Sequence, residues 1–163
     1  MSSFIQKSTE VNVPVSVAYN QWTQFEEFPR FMPAIQSIEQ RDPRHLHWCV
    51  NVAGEEREWD AEITEQIPDQ RIAWRSTSGV QHAGVLTFHH VAHDRSRVAL
   101  QLEYEPSGFV ENAAHYLGVI EHEVEQALTG FRDFIERRGA ETGAWRAELR
   151  RRDDQRVDHT EVK

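Results

Sequence analysis

Apolar and polar residues alternate along most of the first hundred positions, and the pattern then switches to a helical period. Residues 4–13 carry Ile5, Thr9, Val11 and Val13 on one face, the signature of a half-buried strand. Pro14 ends that strand, and Ser16 is placed to cap a short helix through Tyr19, Trp22 and Phe25. The two prolines between Phe28 and Pro33 permit a second, broken helical turn. Further strands are predicted at 35–41, 45–52, 57–67, 72–76, 80–92 and 98–104, separated by turn sequences such as Asp42-Pro43-Arg44 and Pro68-Asp69-Gln70. Trp48, Val50 and Val52 share one face of their strand, opposite His47, Cys49 and Asn51. Trp59, Ala61 and Ile63 continue the apolar face, and strict alternation puts Glu65 there too. Ile72 and Trp74, then Leu86 and Phe88, then Leu100, Leu102 and Tyr104 stay in phase, as in an antiparallel meander with one buried face.

Beyond Pro106-Ser107-Gly108 an apolar stripe runs through Val110, Ala113, Ala114, Leu117, Ile120, Val124, Leu128, Phe131, Phe134 and Ile135. It predicts a helix over 110–137, roughly 28 residues or about 42 Å long. Gly130 interrupts the stripe, which points to a close approach or a bend, and Gly139 marks the stop. The fold class expected is α+β: a curved antiparallel sheet of about seven strands wrapped around a long C-terminal helix, with two short helices after strand 1. Residues 1–139 form the domain and 140–163 a polar C-terminal tail that carries Trp145. One helix is too narrow to cover so many strands. The sheet must curl around it, and the space left between them is the expected ligand cavity.

Composition narrows the partner. Net charge is -9, from 18 basic and 27 acidic residues, which disfavours nucleic acid and anionic membranes. No apolar run approaches the ~20 residues that cross a bilayer, so stable membrane insertion is not expected. The start of the chain lacks a signal-peptide pattern, and the single cysteine, Cys49, rules out an intrachain disulfide. A cytoplasmic setting and an apolar small-molecule partner are expected. Monomer and homodimer both remain open.

The first strand ending in Val13-Pro14-Val15-Ser16-Val17-Ala18-Tyr19, the following Trp22, and the segment Phe25–Ile38 resemble the START-like, polyketide cyclase/dehydrase (SRPBCC) superfamily. The resemblance spans about residues 4–137 and is nearest the cyclase/dehydrase and coenzyme-Q-binding branches. It implies a helix-grip fold holding a lipid-, quinone- or polyketide-like ligand. Aromatase/cyclases of the family carry Trp-x-Ser-x-Arg on a cavity strand. The matching strand here offers Ala61, Ile63 and Glu65 in one frame and Glu62, Thr64 and Gln66 in the other, and neither frame has the arginine.

Trp48, Trp59, Ile63, Trp74, Leu86, Phe88 and Leu117 are the residues expected to line the cavity. Glu65, His82 and Tyr104 are the candidates for acid/base work. No cofactor is expected, and no metal: His45 and His47 share a face without an evident third ligand, and His122-Glu123 is followed by Gln126 where a zinc motif needs histidine. Cys49 points outward by parity. No Gly-x-Ser-x-Gly and no glycine-rich phosphate loop occur. Three functions fit: a carrier or sensor of the ligand, a cyclase or dehydrase acting on it, and a protein-interaction module using helix and tail.

Overall fold

The computed structural model describes residues 3–52, 54–105 and 113–151, the side chains of 3 and 113–117 excepted. Strand β1 (Ser3–Val11) leads into helix α1 (Val15–Trp22) and a 3₁₀ turn at Phe25–Arg30. Six strands follow: β2 (Ile35–Asp42), β3 (His45–Val52), β4 (Glu55–Ile67), β5 (Arg71–Ser78), β6 (His82–Ala92) and β7 (Arg95–Tyr104). Helix α2 (Ala113–Arg138) closes the series. The seven strands form one antiparallel sheet in the order β1-β7-β6-β5-β4-β3-β2. Each neighbour after β2 follows directly in sequence, so tight turns suffice, and only β1 crosses to the far edge.

Helix α2 packs against β1 and β3, α1 against β6 and β7, and the 3₁₀ turn against β2. Ile120, Val124, Leu128, Phe131 and Ile135 of the expected stripe are buried, and Phe134 lies 4.8 Å ring to ring from Phe31. Val110 lies outside the described residues. Trp22 sits 4.8 Å from Phe131 and 5.1 Å edge-on from Phe28, so an aromatic cluster ties α1, the 3₁₀ turn and α2 together. Gly130 is the point of closest approach. A Cβ there would stand 3.2 Å from the carbonyl carbon of Phe31, with the oxygen nearer still, so at this position α2 rests directly on the turn.

One local expectation changes, and the polar tail gains a position. Helix α1 starts two residues earlier than a Ser16 cap allows: Pro14 occupies the N-cap, and its carbonyl accepts the Val17 and Ala18 N–H groups at 3.0 and 3.1 Å. Residues 140–151 run back along α1. Gln21 Nε2 donates to Thr142 Oγ1, and the Thr142 N–H returns a bond to Gln21 Oε1, at 3.1 and 2.9 Å. Asn20 donates to Glu141, and Arg146 donates to both Asn20 and Asp69. Leu149 then exchanges both backbone hydrogen bonds with Gln66 of β4, at 2.7 and 2.8 Å. The Trp145 N–H is held by the Thr23 hydroxyl at 3.1 Å.

Candidate functional site: an apolar cavity between sheet and helix

Between the concave face of the sheet and α2 lies a cavity of about 180 Å³. Strand parity brings Trp48, Trp59, Ile63, Trp74 and Leu86 to its wall, together with Leu100, Leu102 and Tyr104 of β7. Helix α2 contributes Ile120, Val124 and Ala127. Trp22, Phe25, Phe28 and Met32 of the α1 and 3₁₀ region close one end. The sequence reading placed Trp22 and Phe25 on a short helix and a broken turn after Phe28, without assigning them to the cavity wall. The signal was the spacing of Trp22, Phe25 and Phe28, one helical face, which needs an apolar surface to pack on.

Trp48 and Trp59 are directly opposed on β3 and β4, and their rings stack at 5.9 Å with planes 21° apart. His82 meets Trp59 edge-on at 4.8 Å. Trp74 lies over Gly84 of β6, where a Cβ would come within 2.7 Å of its ring. The buried indole N–H groups of Trp22, Trp48 and Trp59 have no hydrogen-bond partner among the described residues. An unmet N–H in an apolar setting costs about 1–3 kcal/mol, so three at one cavity are an unusual feature.

The expected site residues divide. Phe88 is buried beside Tyr19, edge-on at 5.3 Å, in the core rather than at the cavity. The side chain of Leu117 lies outside the described residues. His82 and Tyr104 face each other across β6 and β7 and both line the cavity. His82 Nδ1 donates to the Val80 carbonyl at 3.0 Å, which leaves the lone pair on Nε2. Burial holds its pKa below the usual histidine value, and burial likewise raises the Tyr104 phenol.

Glu65 is on the wrong side. The β4–β5 register slips between Ile63 and Glu65, a bulge that inserts one extra residue and reverses the parity. Gln66 therefore turns inward and is buried, while Glu65 faces outward and pairs with Arg71 at 2.9 Å. With Glu62 and Arg75 it lines a separate groove of about 580 Å³ on the outer face. The same face of the β3–β4 hairpin sets His47 opposite Asp60 and Cys49 opposite Glu58. Glu58 and Asp60 are thus acidic neighbours of His47 that the reading of His45 and His47 alone did not include. Among the described residues no helix is long and apolar enough to cross a membrane.

A curved antiparallel sheet gripping one long helix over an apolar cavity defines a helix-grip protein. The sequence profile of the family described as polyketide cyclase / dehydrase and lipid transport matches residues 11–131, and the chain belongs to that family. It is 48% identical over 145 residues to an uncharacterized 17.2 kDa protein of Streptomyces lincolnensis, covering 88% of this chain and 97% of that one. Its fold is similar to that of the Zhui aromatase/cyclase from a Streptomyces species, with TM-score 0.73 and 17% identity over 89% of this chain and all (100%) of that one. A START superfamily protein from Mycobacterium smegmatis is similar at TM-score 0.67 and 15% identity, covering 81% of this chain and 98% of that one.

Proposed function

We propose that the protein binds a compact, ring-shaped apolar molecule bearing carbonyl oxygens, as a carrier or sensor. The observation that carries this is the set of buried indole N–H groups of Trp22, Trp48 and Trp59 around a cavity otherwise walled by aliphatic and aromatic carbon. A quinone or cyclised polyketide supplies the acceptors these donors lack, and its ring matches the stacked walls. Size argues for a compact ligand. At about 180 Å³ the cavity is below the ~300–1,000 Å³ of drug-sized sites and just above the ~150 Å³ that admits benzene elsewhere. A long acyl chain needs movement of the surrounding elements.

The test is titration with a naphthoquinone and with naphthalene, followed by tryptophan fluorescence and by the shift in Tm. The quinone should bind saturably and more tightly than the hydrocarbon, and W59F should narrow that gap by roughly 2- to 10-fold, the worth of one neutral hydrogen bond. Ala127→Leu, which fills the helix side of the cavity, should weaken both. Absence of saturable binding by either probe, in both assays, overturns the reading.

A second reading, turnover in the same cavity, rests on His82. His82 lines the cavity, its Nδ1–H is taken by Val80 so that Nε2 carries the lone pair, and burial favours the neutral ring, the state a general base requires. His82→Gln should remove turnover of a poly-ketone substrate while retaining affinity for a naphthoquinone. Glu65→Gln, on the far face, should alter neither. Turnover that persists in His82→Gln excludes His82 as the base.

A further inference from the structure

We infer that the outer face of the β3–β4 hairpin is a three-ligand site for zinc or a similar borderline-soft divalent ion, formed by His47 Nε2, the Cys49 thiolate and the Glu58 carboxylate. The site is distinct from the cavity, since these residues occupy the outward positions of strands whose inward positions carry Trp48 and Trp59.

Geometry comes first. His47 Nε2 lies 2.8 Å from Glu58 Oε1, and Cys49 Sγ lies 3.5 Å from the same oxygen. All three ligand atoms fall within 4.8 Å of one another. Metal distances of about 2.0–2.3 Å to N, O and S place tetrahedral ligands about 3.3–3.6 Å apart, so small side-chain rotations suffice. A β-hairpin supplies this rigidly. Residues 47 and 49 are two apart on one strand, and Glu58 pairs directly with Cys49 on the other.

The surroundings fit as well. The second ring nitrogen, His47 Nδ1, is hydrogen-bonded to Asp60 Oδ1 at 2.7 Å. A carboxylate behind the imidazole orients the ring, fixes the tautomer with Nε2 free to ligate, and strengthens it as a donor. Asp60 is itself held, by the Ser78 hydroxyl at 2.9 Å and by Arg41 at 3.4 Å. Imidazole, thiolate and carboxylate suit zinc, and a fourth position is left open to water or to a ligand from outside the chain. Binding releases the thiol proton and the Nε2 proton that Glu58 otherwise accepts.

The experiment uses the full chain, stripped with chelator and kept in a thiol-free reductant. Zn²⁺ is titrated in competition with a chromophoric chelator, and Co²⁺ is added separately as an optical probe. One equivalent of Zn²⁺ should bind, and Co²⁺ should give a thiolate-to-metal charge-transfer band. Asp60→Asn should weaken Zn²⁺ binding by about 10- to 100-fold through the loss of orientation, with the Co²⁺ band retained. Cys49→Ser should abolish the band and weaken Zn²⁺ by more than Asp60→Asn does. Glu58→Gln, an exposed change that leaves the fold intact, should weaken it without removing the band. Equal Zn²⁺ affinity in wild type, Cys49→Ser and Glu58→Gln, or Co²⁺ bound without the band, overturns the assignment.

Discussion

Two glycines on helix α2 should respond to the same substitution with opposite signs. Replacing an interior helical glycine by alanine gains about 0.8–1.0 kcal/mol of propensity where nothing else changes. Gly118 meets that condition, being exposed with no atom within 4 Å of the added Cβ. Gly130 does not, because its Cβ would press into the Phe31 carbonyl, a backbone group fixed by the hydrogen bond from the Phe31 N–H to Phe28. The helix must withdraw from the 3₁₀ turn. That strains the Trp22–Phe131, Phe31–Phe131 and Phe31–Phe134 contacts, now at 4.8, 5.9 and 4.8 Å. Overpacking costs about 1–3 kcal/mol, and each loosened aromatic pair adds about 0.5–1.5 kcal/mol. Against a propensity gain near 1 kcal/mol, G130A should lose about 2 kcal/mol net. At roughly 2–4 °C per kcal/mol for a chain of this size, G118A should raise Tm by about 2–4 °C and G130A lower it by about 4–8 °C. Urea unfolding at matched m-values separates this from a change in the unfolded state. A G130A protein as stable as wild type would refute the close approach, and with it the way α2 is seated over the cavity.

A chain ending at Gly139 loses the hydrogen bonds to Asn20, Gln21, Thr23 and the Gln66 backbone, and should fall by at least about 2 kcal/mol at about 0.5–1.5 kcal/mol per bond. An unchanged Tm for that truncation would show residues 140–151 to be dispensable. The buried, neutral His82 should make stability decline in mild acid. Its folded pKa is lowered, so the unfolded chain binds the proton first, and stability present above the ordinary value of 6.5 is lost as pH falls below it. His47, whose pKa is raised by hydrogen bonds to Asp60 and Glu58, works in the opposite sense, so the measurement is the stability difference between wild type and His82→Gln. That difference should shrink between about pH 8 and pH 5, and a constant difference would contradict a buried neutral ring.

The fold was legible because its two periods are clean. Alternation through β3 to β7 and the Ile120–Ile135 stripe each describe a surface that needs the other. The docking of the tail was not legible because no apolar period announces it. The tail is held by polar side chains on α1, whose amides read as ordinary surface residues until Glu141, Thr142 and Arg146 are brought alongside. The Ser16 cap failed for a related reason. Pro14 has the fixed φ and the carbonyl that the first turn requires, so the serine hydroxyl is not needed.

The site shows where parity can be trusted in a curved sheet. Alternation placed Trp48, Trp59, Ile63, Trp74, Leu86, His82 and Tyr104 on the cavity side, and each lines the cavity. It failed at Glu65, two residues beyond Ile63, because a strongly curved sheet uses bulges and a bulge reverses every later side chain. The burial of Gln66 and Ile72 beside a charged Glu65 is the visible consequence. The outward face of β3 and β4 required one further step. The ladder closes on the pair Val52 and Glu55, and every β3 residue then faces the β4 residue equidistant from that pair. Applied to His47 and Cys49, this rule gives Asp60 and Glu58. A histidine that had no third ligand along its own strand thus acquires two acidic neighbours from the next. In an antiparallel meander, chemistry is assembled across the ladder rather than along the chain, and the search for ligands and bases has to follow the register.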